Sequence, residues 1–92
     1  MKSIRQLLEN SAKASNVNLK DVESGLWDPS EDSEQAFMLA LDLGIGMRHH
    51  QGWGEVFHPN MGDQAFNYNN EKYSSTRMAI VKIASDIWER NA

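Results

Sequence analysis

Cysteine is absent from this 92-residue chain, proline occurs twice, and nine lysines and arginines stand against thirteen aspartates and glutamates. Without cysteine there is no disulfide and no thiolate metal site, so the redox compartment leaves no trace in the sequence. The shortage of basic residues gives a net charge of −4 and a pI near 5.2. Broad contact with a nucleic-acid backbone needs clustered lysine and arginine to displace counterions, so direct nucleic-acid binding is not expected. Long apolar runs are missing too, and none approaches the roughly 18 residues that a bilayer span requires. Met1–Gln6 starts with positive charge but no apolar stretch follows. A signal peptide is therefore not expected, and the cytoplasm is the simplest location.

What is present suits one folded domain over residues 1–92. Hydrophobic residues at 40% and charged residues at 24% are the balance of a globule rather than a disordered chain. No internal repeat or low-complexity tract divides it.

Helix signals come first. Ser3 and Gln6 form a capping-box pair for a helix over about residues 3–14, with Ile4, Leu7 and Leu8 on one side. The apolar stripe fades after Leu8, so this helix is expected to be short or to dock only by its N-terminal half. Asn18 and Asp21 can start a single turn holding Leu19 and Val22, which Gly25 stops. A helix over about 30–43 is capped by Ser30 or Asp32, with Pro29 tolerated in its first turn and Gln35 three residues after Asp32. Glu31, Asp32 and Glu34 lie where the helix dipole favours negative charge. Ala36, Phe37, Ala40, Leu41 and Leu43 form a wide apolar face, and Gly44 ends it. The last helix, about 75–89, is capped by Ser74 or Ser75. It buries Ile80, Ile83, Ala84 and Ile87, widened by Met78, Val81 and Trp88, with Ser85 turned mostly away.

Between Ile45 and Tyr68 the period becomes two. Ile45, Met47 and His49 alternate with Gly46, Arg48 and His50, and Glu55–His58 alternate again after a glycine-rich turn. Pairing Gln51 with Gly54 would set His50 opposite Glu55 and Met47 opposite His58. Pro59–Asp63 gives a second turn, and Gln64–Tyr68 a third strand with Phe66 and Tyr68 on one side. The fold class is then α+β: a two-layer sandwich of amphipathic helices packed on a small antiparallel β-meander over about 45–68.

Chemistry is thinly signalled. His49, His50 and His58 are close in sequence, but adjacent histidines on a strand point to opposite faces. A zinc site needs several ligands converging at about 2.0–2.1 Å, so no metal or cofactor is expected and polar strand positions are the simpler reading. Ser74, Ser75 and Ser85 have no nucleophile-elbow motif around them, and Gly44-Ile45-Gly46 follows a helix instead of opening one as a phosphate loop would. An enzyme is not expected.

Surfaces are the better candidates. Trp88 belongs on an apolar helical face, and Trp27 is placed to act as a staple or lid before the second main helix. Trp53, flanked by glycines in a turn, is a candidate interface anchor. Asp21, Glu23, Asp28, Glu31, Asp32, Glu34 and Asp42 fall in a stretch to Met47 that holds no lysine or arginine. Such a run is commonly a solvated face, and it can also dock a basic partner. The candidate surface is Arg48, His49, His50, Trp53 and His58 on the hairpin, with Glu31, Asp32, Glu34 and Asp42 as the competing acidic face.

Two segments carry a family likeness. Trp27-Asp28-Pro29-Ser30-Glu31-Asp32-Ser33-Glu34-Gln35-Ala36 resembles the aromatic-Asp-Pro, acidic helix start of small phage and prophage proteins. Glu71-Lys72-Tyr73-Ser74-Ser75-Thr76-Arg77-Met78-Ala79-Ile80-Val81 resembles their C-terminal helix. The group is the NinX-like and ABA-sandwich-like accessory proteins of tailed phages. The resemblance implies an α/β sandwich acting in the host cytoplasm and carries no catalytic residue with it. The expectation is a non-enzymatic accessory protein that binds another protein, with inhibition of a host nucleic-acid-handling or defence protein as its suggested role. A ligand or metal binder using the hairpin, and a homodimer paired through a sheet edge, are the alternatives.

Overall fold

Helix boundaries follow the caps closely. In the computed structural model, which describes residues 2–91, α1 spans Ile4–Ala14 and Ser3 Oγ accepts the Gln6 N–H. The capping box is half made, because the Gln6 amide donates instead to Asn10 Oδ1 at 3.0 Å. The single turn is present as α2, Leu19–Ser24, between the Asn18 cap and a left-handed Gly25. α3 runs from Ser33 to Leu43, with Asp32 Oδ1 accepting the Gln35 N–H at 2.9 Å and Gly44 ending it. It starts later than expected because the Asp28 carboxylate accepts from both the backbone and the hydroxyl of Ser30, tying those residues into a separate turn.

α4, Lys72–Asn91, begins ahead of the expected serine caps. Asn69 and Asn70 take positive φ and turn the chain out of the sheet, so the helix can start at once. Ser75 Oγ donates to the Tyr68 carbonyl at 2.8 Å and fastens that turn rather than capping the helix.

The sheet contains β1, Gly46–His49, β2, Trp53–His58, and β3, Gly62–Asn67, antiparallel in the order β1-β2-β3. The register of the first hairpin differs from expectation. His49 pairs with Gly54, and the His50 N–H donates to the Trp53 carbonyl at 2.9 Å. Gln51-Gly52 is thus the two-residue loop, with Gly52 at φ +85 supplying the backbone that the turn needs. Arg48, not His50, faces Glu55, and Met47 faces Val56, not His58. Trp53 becomes the first residue of a strand instead of a loop tip.

The layers also differ in detail. α4 is the helix laid against the sheet, touching β2 and β3, while α1 and α3 pack on α4 and α2 on α1. Ala79, Ile80, Val81, Ile83, Ala84, Ser85 and Ile87 are all buried. Such a wide arc marks a helix with neighbours on several sides rather than one apolar stripe. Ser85 is therefore inside, and Trp88, expected in the core, is only half-buried with the Lys13 ammonium 5.8 Å from its ring centre.

α1 docks by its C-terminal half. Ile4 is exposed, whereas Leu8, Asn10, Ser11 and Ala12 are buried against α4. Small polar side chains allow this close approach because their bonds are satisfied within the seam. Asn10 donates to Ser85 Oγ, and Ser11 Oγ lies 2.8 Å from the Leu7 carbonyl and 3.0 Å from that of Val81. Among the described residues no buried side-chain nitrogen or oxygen lacks a partner, as a cooperative core requires.

Candidate interaction surfaces

The loop before α3 is built by cross-bracing. Gln35 accepts the Asp28 N–H through Oε1 at 2.6 Å and donates to the Leu26 carbonyl at 2.8 Å. Arg77 of α4 reaches across to the Ser30 carbonyl at 3.0 Å and Ser33 Oγ at 2.9 Å. Of the acidic stretch, Asp28 and Asp32 are spent on these turns and caps. Glu31, Glu34 and Asp42 are exposed, and among the described residues none of them forms an ion pair.

α3 then presents to solvent two residues of its expected apolar face, Phe37 and Leu41, together with Met38. Phe37, Met38 and Leu41 are 54%, 50% and 61% exposed, while Ala36, Leu39 and Ala40 carry the packing. The signal was available: Ala36 to Leu41 is an unbroken apolar run, and one helix on a single neighbour cannot bury such a run all round. The result is an apolar row with Glu34 at one end and Asp42 at the other. Beside it, a groove of about 330 Å³ opens between α3, α4 and β1, lined by Ala36, Phe37, Met47, Tyr73 and Ile80 among others.

The open face of the sheet is a second surface. Alternation places Arg48, Trp53, Glu55, Phe57 and Asp63 on it. The Arg48 guanidinium lies 2.7 Å from Asp63 and 3.4 Å from Glu55, and its carbon sits 4.4 Å from the Phe57 ring centre. His50 Nε2 is 2.7 Å from the same Glu55 oxygen, and the His50 ring stacks on Trp53 with centres 4.0 Å apart. The hydrogen bond from His50, followed by that from Arg48, holds the Glu55 carboxyl below its ordinary value. Trp53 is 41% exposed with one face covered by His50. Asp63 and Phe57 escaped the sequence reading, since their place beside Arg48 depends on a register that the sequence left open.

The histidines do not converge. His49 lies on the helix-facing side with Nδ1 2.7 Å from Tyr68 Oη, and His50 lies on the open face. His58 shares the side of His49, but it lies four residue steps along β2 from His49's partner Gly54, roughly 13 Å of strand. Among the described residues no three histidine, aspartate or glutamate side chains are grouped to hold a metal ion. The serines are engaged in scaffolding: Ser74 Oγ donates to the Glu71 carbonyl, and Ser85 accepts from Asn10. Trp27 is half-buried against the core. No helix among the described residues is long and apolar enough to cross a membrane.

No family model matches the chain, and neither a curated protein nor a solved structure matches it.

Proposed function

We propose that the chain is a non-enzymatic binding module that engages a protein partner through α3. The observation that carries this is the row Phe37, Met38 and Leu41, three large apolar side chains exposed together on one helix, with Glu34 and Asp42 at its ends. Large apolar side chains set side by side in water mark a surface that is covered in use. Unpaired carboxylates around them select a basic partner and steer its approach. The resemblance to small phage and prophage accessory proteins suggests a host nucleic-acid-handling or defence protein, whose basic groove an acidic surface can occupy.

The test compares the wild type with two double variants, Phe37→Gln/Leu41→Gln and Glu34→Lys/Asp42→Lys, in affinity capture from bacterial lysate at low salt. Asp32 is left intact because it caps α3. The expected result is a partner retained by the wild type and lost from both variants, with melting temperatures unchanged. Equal capture by all three proteins would overturn the reading.

A further inference from the structure

We infer that the groove between α3, α4 and β1 binds a small amphipathic carboxylate. The apolar body of an aliphatic or aromatic acid fills the groove, and its carboxylate meets Arg77 and Lys72. This site stands apart from the protein-binding row, because Met38 and Leu41 do not line it.

The groove exists because β1 overhangs the helix layer. α4 packs on β2 and β3, and α3 packs on α4, but β1 makes few contacts with either helix. An opening of about 330 Å³ remains between the three elements. Ala36 and Ile80, both buried, line its inner side, and Phe37 and Met47 add to its apolar wall. Clefts of about 300–1,000 Å³, mostly apolar with a few placed polar groups, are the usual sites of small ligands. This one is at the small end.

Charge in the groove runs against the charge of the chain. The protein carries a net −4, yet the charged side chains lining the groove are Lys72 and Arg77. Among the described residues no aspartate or glutamate lines it. Glu31, Glu34 and Glu71 are near in sequence, but among the described residues neither cation forms an ion pair with any carboxylate. With about 3.6 residues per turn, Tyr73, Thr76 and Ile80 fall between Lys72 and Arg77 around α4. One cation therefore stands on each flank of the α4 wall.

Arg77 is held ready for an anion. Its Nε donates to the Ser30 carbonyl at 3.0 Å and its Nη1 to Ser33 Oγ at 2.9 Å, which fixes the guanidinium on the α3 side. Both acceptors are neutral, so the charge is not compensated, and Nη2 has no acceptor among the described residues. Lys72 stands on the sheet side, its ammonium 5.8 Å from the Tyr68 ring centre. One fixed N–H group and one mobile ammonium match a single carboxylate. A phosphate ester calls for more donors, and the apolar wall opposes its second charge. A cationic amphiphile leaves both flanks repulsive.

The test titrates the full chain with octanoate, octylammonium, acetate and octyl phosphate at matched ionic strength, followed by ¹H–¹⁵N and methyl NMR. Octanoate is expected to give saturable shifts at the Ala36, Met47, Thr76 and Ile80 methyls and at the Arg77 Nε–H, with a Kd of about 5 mM or tighter. Octylammonium reverses the charge and acetate lacks the body, so each should bind at least about tenfold more weakly. Lys72→Gln and Arg77→Met should each weaken octanoate by about three- to tenfold. Lys72 is exposed, so its substitution should leave the melting temperature unchanged. Equal binding of octanoate and octylammonium, or tighter binding of octyl phosphate, would overturn the carboxylate. Shifts centred on Met38 and Leu41 without Ile80 would put the alkyl chain on the exposed row and overturn the groove. No saturable shift by about 20 mM octanoate would overturn the site as a whole.

Discussion

Asn10 donates its side-chain N–H to the Ser85 hydroxyl at 3.0 Å, with both residues buried at the seam between α1 and α4. The seam is held by small residues whose polar atoms are paired off, so α1 can lie close to α4 without a continuous apolar stripe. The bonds of Asn10 and Ser11 thereby join the C-terminal half of α1 to α4.

Ser85→Ala should destabilise the fold by about 1–3 kcal/mol, because it leaves the Asn10 N–H buried without an acceptor. Asn10→Leu combined with Ser85→Ala removes both partners and should cost less than the two single changes added together. Urea denaturation of the wild type, both single variants and the double variant measures the coupling. Strict additivity would mean that the bond does not join the helices in solution.

Acid should act on the open face of the sheet. The folded Glu55 carboxyl is held below its ordinary value of 4.5, first by His50 and then by Arg48. Its ionised form therefore favours the folded state above pH 4.5, and that contribution is lost as pH falls through the lower folded value. Wild type should melt above Glu55→Gln at neutral pH, and the gap should close below pH 4.5. Added salt should also narrow it, because the pairs face solvent. A gap that is constant with pH would show that the difference comes from packing instead.

Gly54→Ala tests the other face. A Cβ there would meet the tip of the Phe66 ring at 2.8 Å, Tyr68 Oη at 3.1 Å and the Arg48 carbonyl at 3.2 Å. The Phe66 ring must shift and Tyr68 Oη must give by a few tenths of an ångström, which should loosen its 2.7 Å contact with His49, at a cost of about 1–3 kcal/mol. Thermal melting gives the cost, and the His49 ring ¹⁵N shifts report the contact. Unchanged His49 shifts would show that the sheet absorbs the methyl by another route.

Legibility in the sequence followed the range of the interactions. Asn18, Gly25, Asp32 and Gly44 act within a turn of where they stand, so caps, stops and the α+β class could be read directly. Register could not, because Gln51-Gly52 and Gly52-Trp53 both offer a glycine to a two-residue loop, and the choice moves every cross-strand partner. Ser85 reads as turned away from the core and Ser11 carries no signal, because a polar bond to a partner 70 or more residues away has no local signature. The candidate surface was half legible. Glu34 and Asp42 were visible as charge, but the exposure of Phe37 and Leu41 depends on how little of α3 its neighbours cover.

That last point gives the sharpest test of the binding face. Leu39 is 2% exposed, and Leu39→Ala should cost about 2–5 kcal/mol, the penalty for a cavity in a closed core. Phe37→Gln and Leu41→Gln remove more apolar surface in total, yet each should change stability by no more than about 0.5 kcal/mol, because glutamine keeps the helix and little packing is lost. Urea midpoints at fixed slope distinguish the two classes. The same two substitutions should abolish partner retention, so stability and binding separate on adjacent turns of one helix. A cost at Phe37 or Leu41 as large as that at Leu39 would mean that these side chains are core in solution. The acidic residues would then border no apolar row, and α3 would lose its claim to be the binding face.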